Sequence, residues 1–437
     1  MVLFSRYNGA IIETQMWKMS RGRPGHHRVG PALRPLLLFL HIVLSNCASA
    51  KPTRIAIVGG GLAGLGTAAQ LISESEAPIE QLHVYDPAPP GAGGASAVAA
   101  GLLHPFTPRG REIWKGLAGF EATTALLKRV EAISGPCSSQ SGLLRLALAE
   151  EKVVELQTSA AGGAGTLAQT WLSCDEASTL ASVPVGGLGA THAPAAVSID
   201  VPRYVRGLWA LIQSEGRDAD VAWKLGAVES LQPLLAAGYD AIVVAMGART
   251  PELCGCEGLP LTPCRGQNLV LSNEARLSIP LISGKYLVPI DGGSRLLAGA
   301  TFEYLDRDAC HQPADETSAE AALMEPLGAL HRSLSGEVVL GCQAGVRALP
   351  PRSHFGYVPI AGRLGRDEHR TSVGGTATAT EVWMVGGLGS RGLIHHALVG
   401  GSVARALLRR DPCVIDEHVR RLQPRLDACT LWIRRHT

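Results

Sequence analysis

Three glycines carry the most specific chemistry in the chain. Within the run RIAIVGGGLAGLGTAAQL, Arg54 to Leu71, they stand at G-x-G-x-x-G spacing as Gly59, Gly61 and Gly64. The chemistry this spacing performs is done by backbone. The first glycine permits a tight turn after a strand, the second lets the main chain approach a pyrophosphate, and the third lets helix and strand pack closely. Leu62 and Ala63, between them, supply amides at the start of a helix, where the positive end of the dipole favours phosphate. Asp86 lies roughly twenty residues further on, where a carboxylate can hold a ribose hydroxyl. A carboxylate there favours the unphosphorylated ribose of FAD or NAD over that of NADP.

Glycine is common here, 51 of 437 residues, so the motif gains its weight from context. The β-branched run Ile55–Val58 precedes it. Ala68 and Leu71 continue the sheet-facing side of the helix that follows, and Gln81 to Tyr85 predicts the next strand. Further along, helices are predicted over 113–134, 202–212, 316–334 and 398–408. Strands are predicted over 239–248, 266–271, 285–290, 295–301 and 382–385. The stretch 138–195 is rich in Ala, Gly, Ser and Thr and reads as short mixed elements of a second domain. Gly386 to Gly389 forms a second glycine-rich turn between strand and helix, far from the first in sequence. The class expected is α/β, with a Rossmann-like dinucleotide-binding domain.

A chain of 437 residues exceeds one ordinary core, so two domains are expected. Charged residues make up 18% and the formal net charge is +2, much of that excess lying in the first fifty residues. The overall charge does not call for nucleic acid, and no basic stripe with interleaved aromatics is visible. The ten cysteines include Cys254 and Cys256 as C-x-C but no C-x-x-C pair or zinc spacing, so no metal site is expected. Residues 1–50 are basic, lack acids after Glu13, and contain a short apolar run, Pro35 to Leu44. That run is too short for a stable membrane span. The segment suits a targeting leader: import into a chloroplast or mitochondrion is the first expectation, and secretion with cleavage near Ala50 the alternative.

Several segments together resemble the D-amino-acid oxidase and glycine oxidase family of FAD enzymes. Within it the chain is similar to the oxidase domain of the bacterial bifunctional enzyme that makes 5-methylaminomethyl-2-thiouridine at the tRNA wobble position. The resemblance runs from about Arg54 to Leu408. It rests on Gly59, Gly61, Gly64 and Asp86; on Gly94-Ala95-Ser96 through Ala100-Gly101; and on Ser198 to Pro202. It rests also on Val244 to Ala248, on Pro263-Cys264-Arg265-Gly266-Gln267, on Gly345-Val346-Arg347-Ala348-Leu349-Pro350, and on Gly387-Leu388-Gly389-Ser390-Arg391-Gly392.

The resemblance implies FAD held by a Rossmann-like domain interleaved with a β-sheet substrate domain. The limits expected are 53–120, 196–250 and 340–412 for the FAD-binding part, 121–195 and 251–339 for the substrate part, and 413–437 as a tail. It implies that Ser96, Ala100 and Gly101 lie along the flavin. It places Gly247 near the adenosine, and Gly387, Gly389 and Gly392 at the flavin turn. It assigns Arg347 and Arg391 to a substrate carboxylate, assisted by the Tyr286 hydroxyl, with flavin or loop carbonyls as the alternative partners of Arg391. Guanidinium suits that task because its planar fork matches a carboxylate. Arg265 and Gln267 are expected at the domain junction or the cofactor. His104 is expected as a satisfied histidine near the flavin rather than a covalent attachment point. His395 and His396, adjacent on a helix, point in different directions and make a poor metal pair.

The activity implied is oxidation of a C–N bond in an amino acid or secondary amine. A hydride passes from the α-carbon to flavin N5, the imine hydrolyses, and O2 or an electron carrier reoxidises the flavin. A tRNA wobble-uridine-modifying oxidase is one alternative, though the net charge lends tRNA no support. An NAD-dependent dehydrogenase is another.

Overall fold

The computed structural model describes Arg6–Tyr7, Ala10–Ile11 and residues 51–253, 256–367 and 380–420. Within Met1–Ala50, Arg6–Tyr7 and Ala10–Ile11 form a two-residue antiparallel pair. The remainder of the expected leader lies outside the described residues, as do Cys254 and residues 421–437 of the expected tail. Lys51–Thr437 forms the other compact unit, and everything below concerns it.

In chain order, β1 (Arg54–Val58), α1 (Leu62–Glu74) and β2 (Gln81–Asp86) open the unit. After α2 (Gly116–Ser134) come β3 (Leu143–Leu146), β4 (Thr170–Leu172) and β5 (Ala190–Ala193). Helix α3 (Val201–Glu215) leads to β6 (Asp220–Leu225) and β7 (Ala241–Val244). Next are β8 (Thr262–Ser272), β9 (Leu281–Ser283), β10 (Lys285–Ile290), β11 (Arg295–Gly299), α4 (Glu316–Gly328) and β12 (Val339–Leu349). The chain returns through β13 (Ile360–Asp367) and β14 (Thr380–Gly386) to α5 (Gly392–Arg409).

A six-stranded sheet has the order β6-β2-β1-β7-β14-β13, parallel except for the β13 edge. Its central strands are buried on both faces, which is why they are apolar without interruption. Alternation divides them. Ile55, Ile57, Ala241, Val243, Trp383 and Val385 face a core shared with α1, α2, α3 and α5. Ala56, Val58, Ile242, Val244, Val382 and Met384 face a second core with Leu234, Leu253 and Ile360. A fully buried Leu or Ile stabilises by about 1.5–3 kcal/mol relative to exposure. Two of the helices meet at backbone contact: a Cβ on Gly400 of α5 would stand 2.8 Å from the Thr67 nitrogen of α1. Asp200 caps α3 by accepting from the Arg203 amide at 2.9 Å, and Pro202 sits in the first turn.

An eight-stranded sheet has the order β12-β8-β11-β10-β9-β3-β5-β4. All its neighbours are antiparallel except β9 and β3. Leu144, Leu146, Leu269, Leu271, Leu281, Leu287, Leu296 and Ala298 fill a core on one face with Ala319, Leu323 and Leu327 of α4. The opposite face bears the polar residues discussed below.

Packing shifts the domain limits read from sequence. Residues 340–349 belong to β12 in the eight-stranded sheet, because they pair with β8 over its whole length. Residues 121–134 continue α2, which buries Leu126, Leu127 and Val130 in the core of the six-stranded sheet. Ile415 and Val419, placed in the tail, are buried in that same core. Helix α5 starts at Gly392, six residues before the expected Leu398. Gly387 and Gly389, at φ +64° and +56°, complete the turn early. Among the described residues no helix is long and apolar enough to cross a membrane.

Candidate active site

Register brings the expected nucleotide-binding residues to one edge. Val58 of β1 pairs with Tyr85 of β2 and Val244 of β7, and Val244 pairs with Met384 of β14. The strands therefore end together, and Gly59–Gly64, Asp86, Gly247 and Gly387–Gly392 follow them along the carboxyl edge. That edge is where parallel α/β sheets bind ligands.

Two of the glycines there, Gly59 and Gly64, have no room for side chains. A Cβ on Gly59, at φ +111°, would stand 2.3 Å from the Ala245 carbonyl oxygen. One on Gly64 would stand 1.9 Å from the Gly59 carbonyl oxygen. Asp86 accepts from the Gly60 amide at 2.8 Å and from the Ala88 amide at 2.9 Å, so it also shapes the turn. The Leu62 amide donates to Ser96 Oγ at 3.2 Å, tying the 95–98 turn to the start of α1. Among the described residues no acceptor is hydrogen-bonded to the amides of Ala63 and Gly64. A helix start with free amides, a glycine cradle and a carboxylate on the next strand fits a dinucleotide diphosphate and ribose.

The second glycine-rich turn joins the first. A Cβ on Gly392 would lie 3.3 Å from Leu62 Cδ1. Gly247, at φ +60°, has open space around its missing Cβ. Ala100 is half-buried beside the turn. Gly101 answers to packing, since a Cβ there would stand 2.0 Å from the Ile199 carbonyl oxygen.

The polar face of the eight-stranded sheet lies against the 95–98 turn. Across it runs one register row: Arg145 of β3, Ile282 of β9, Tyr286 of β10, Gly299 of β11, Asn268 of β8 and Gln343 of β12. Tyr286 donates its hydroxyl to Asn268 Oδ1 at 2.6 Å, and Asn268 Nδ2 donates to the Val98 carbonyl at 2.8 Å. This chain links the substrate face to the loop that begins at Ser96. Glycines let these groups pack directly on the sheet: a Cβ on Gly299 would strike Asn268 Oδ1 at 2.2 Å, and one on Gly345 would strike Val98 at 2.4 Å. Arg347 lies over Gly266, where a Cβ would meet its guanidinium at 2.3 Å. Its Nη1 donates to the Thr301 carbonyl at 3.2 Å and its Cζ stacks 4.7 Å from the Phe302 ring centroid.

The electrostatics fall into two groups. Burial pushes the Tyr286 phenol up to about 12, against the pull of Arg347 and Asn268, so its proton stays on as a hydrogen-bond donor. Burial and then Arg347 lower the Lys285 pKa. His104, Arg145 and Arg391 form the other group. Burial lowers Arg145 to about 10 and neighbouring Arg391 adds to this, which leaves it charged at neutral pH. Burial lowers Arg391 as well. His104 is pushed down to about 3 by burial, then by Arg145 and Arg391. Its Nδ1 accepts from the Phe106 amide at 3.2 Å, so the neutral ring carries its proton on Nε2. Tyr286, His104 and Arg391 are each crowded by protein yet partly open to solvent, as side chains lining a recess are. A separate groove of about 700 Å³ between residues 151–163 and 106–112 contains none of these three residues.

Some expected residues have other duties. Arg265 pairs with Glu303 at 2.7 Å and donates to the Gln312 and Pro313 carbonyls, and Gln267 donates to Glu303 at 3.0 Å. Both pin the 301–315 segment to the sheet. His396 hydrogen-bonds Tyr204 at 2.9 Å, and His395 the Trp114 carbonyl at 3.1 Å, so the two rings diverge. Sequence reasoning missed Asn268 and Arg145. Asn268 follows Gly266 by one strand period. Arg145 is a lone charge in the apolar run Leu143-Leu144-Arg145-Leu146, and that isolation was the available signal.

Comparison with known proteins identifies the fold and the family. The chain is 26% identical over 371 residues to the tRNA 5-methylaminomethyl-2-thiouridine biosynthesis bifunctional protein MnmC of Caulobacter sp., covering 82% of this chain and 55% of that protein. It thus spans about half the length of the curated relative. Among solved structures it is similar to glycine oxidase from Geobacillus kaustophilus, with TM-score 0.65, 20% identity, and coverage of 85% of this chain and 98% of that one. L-proline dehydrogenase from P. horikoshii aligns with TM-score 0.66 and 16% identity over 86% of this chain and 98% of that one. The family model for FAD dependent oxidoreductase, DAO, matches residues 54–406, and the chain belongs to that family.

Proposed function

We propose that this FAD-dependent oxidoreductase oxidises a C–N bond of a carboxylate-bearing amine, either an amino acid or an N-substituted one. The observation that carries this is the Tyr286–Asn268–Val98 hydrogen-bond chain, with Arg347 on the same face. It sets an anion-binding side chain and a phenol donor opposite the loop that begins at Ser96. Bound FAD supplies the two-electron acceptor, and Gly59, Ala63, Gly64, Asp86 and the Gly387–Gly392 turn would hold it. Arg347 binds and orients the carboxylate, which fixes the adjacent carbon for reaction. Tyr286 keeps its proton and hydrogen-bonds through it to Asn268 Oδ1, which fixes the ring on this face. His104, held neutral, does not compete as a cation. The substrate amine reacts as the free base, and the imine formed is hydrolysed. O2 is the proposed acceptor for reoxidation. The family match removes the NAD-dependent dehydrogenase alternative. The names of glycine oxidase and L-proline dehydrogenase support a small amino-acid substrate.

A second reading, oxidation of a carboxymethylaminomethyl group on tRNA, is favoured by the sequence likeness to MnmC. One experiment separates the two. The flavoprotein is mixed anaerobically with glycine, sarcosine, D-amino acids, proline and unmodified or carboxymethylaminomethyl-bearing tRNA. Bleaching of the flavin by a small amine supports the first reading. Bleaching by the modified tRNA alone replaces it with the second.

A further inference from the structure

Arg145 presents an unmet demand. It lies on β3 between Leu144 and Leu146, which point into the opposite core, and only 5% of its surface is exposed. Among the described residues its guanidinium makes no hydrogen bond or ion pair. A guanidinium taken out of water without a counter-charge costs several kcal/mol. Arg391, its electrostatic neighbour, likewise has no side-chain partner among the described residues. The uncharged His104 cannot serve as counter-ion to either. Thr191, paired with Arg145 across β5, buries a hydroxyl with no partner. The region is built to receive negative charge from outside the protein.

Arg347 cannot share one carboxylate with Arg145. The strands β3 and β12 are five steps apart, about 24 Å along the sheet at about 4.8 Å per step. Arg347 also lies four residues along β12 from Gln343, the strand's member of the Arg145 row, so two extended arginine side chains of about 7 Å each leave a gap of more than about 10 Å. Arg347 acts on Tyr286 and Lys285, whereas Arg145 and Arg391 act on His104. Arg347 on one side, and Arg145 with Arg391 on the other, are thus two separate cationic groups.

We propose that the recess takes an amine carrying two acidic groups, one bound at Arg347 and the other at Arg145 with Arg391. This rests on the amine-oxidising reading above and names its substrate class. A monocarboxylic amine would fill only the Arg347 end and leave Arg145 uncompensated. The second acid therefore contributes both affinity and selectivity.

The test uses dead-end ligands on the full-length flavoprotein at fixed ionic strength, comparing succinate with butyrate and glutarate with valerate. Binding is followed by perturbation of flavin absorbance and, independently, by thermal shift, which reports even if the protein carries no flavin. The expected result is that a dicarboxylate binds at least about tenfold tighter than the monocarboxylate of equal chain length. Arg145→Met should abolish that ratio, with Arg145→Lys retaining part of it. Equal affinities in the wild type overturn the proposal, and this comparison stands even if Arg145→Met fails to fold. Loss of flavin from Arg145→Met with an unchanged ratio also overturns it and places Arg145 on the cofactor. A colourless protein with the tenfold ratio intact would instead refute the flavin chemistry and spare the dianion site.

Discussion

Gly299→Ala adds one methyl group to the substrate face and isolates the Tyr286–Asn268–Val98 chain from the rest of the molecule. Gly299 has no left-handed φ, so the effect is steric. The new Cβ would stand 2.2 Å from Asn268 Oδ1 and 2.9 Å from the Tyr286 hydroxyl. Ordinary contact begins near 3.4 Å, so the Asn268 amide must move by about 1 Å. Its two hydrogen bonds, at 2.6 and 2.8 Å, are then both lost or stretched. At about 1 kcal/mol each, the stability cost is about 2 kcal/mol. For a domain of this size that corresponds to a fall in Tm of a few degrees. The functional cost is larger, because a displacement of about 1 Å at a positioning group can lower rate about a hundredfold. The assay is the anaerobic rate of flavin reduction by whichever amine bleaches the wild type, alongside flavin content and Tm. Flavin content is the control, because the Asn268–Val98 bond ends in the turn that Ser96 ties to the start of α1. A variant with wild-type reduction rate and Tm would refute the claim that this hydrogen-bond chain positions the substrate.

Other outcomes follow from the same geometry. Gly64→Ala would drive a methyl group to 1.9 Å from the Gly59 carbonyl oxygen, and the purified protein should lose its flavin absorbance. Arg347→Ala should raise KM at least about tenfold for carboxylated amines with flavin content intact, and Lys should not rescue it, because the planar fork is lost. His395 and His396 are each lowered to about 4 by burial, and His104 to about 3. The unfolded chain therefore binds more protons than the native state between those values and about 6.5. The resulting stability is fully present above pH 6.5 and lost as pH falls toward 4, so Tm should decline over that interval in scanning calorimetry. Residues 1–50 fused to a fluorescent protein should direct it to chloroplasts or mitochondria; delivery to the secretory pathway instead would support the alternative leader reading.

What could be read from sequence was local. Gly59, Gly61, Gly64 and Asp86 declare themselves because each answers a short-range backbone requirement, and the β-branched run before them sets a strand by its own periodicity. The two glycine-rich turns, more than 300 residues apart, were each visible alone. Their meeting at Leu62 and Gly392 was not, because it depends on parallel strands ending in common register. The same limit explains Arg145 and Asn268. A charged residue among leucines, and a polar residue beside a glycine, acquire meaning only when six strands align them in one row. The domain limits slipped for a related reason: β12 and α2 are assigned by what they pack against, over long sequence separations. Spacing and local context led to the expectation of a dinucleotide at the first turn. Tertiary packing decided which face of the second sheet lies against the 95–98 turn, and that Arg145 is buried there without a side-chain partner among the described residues.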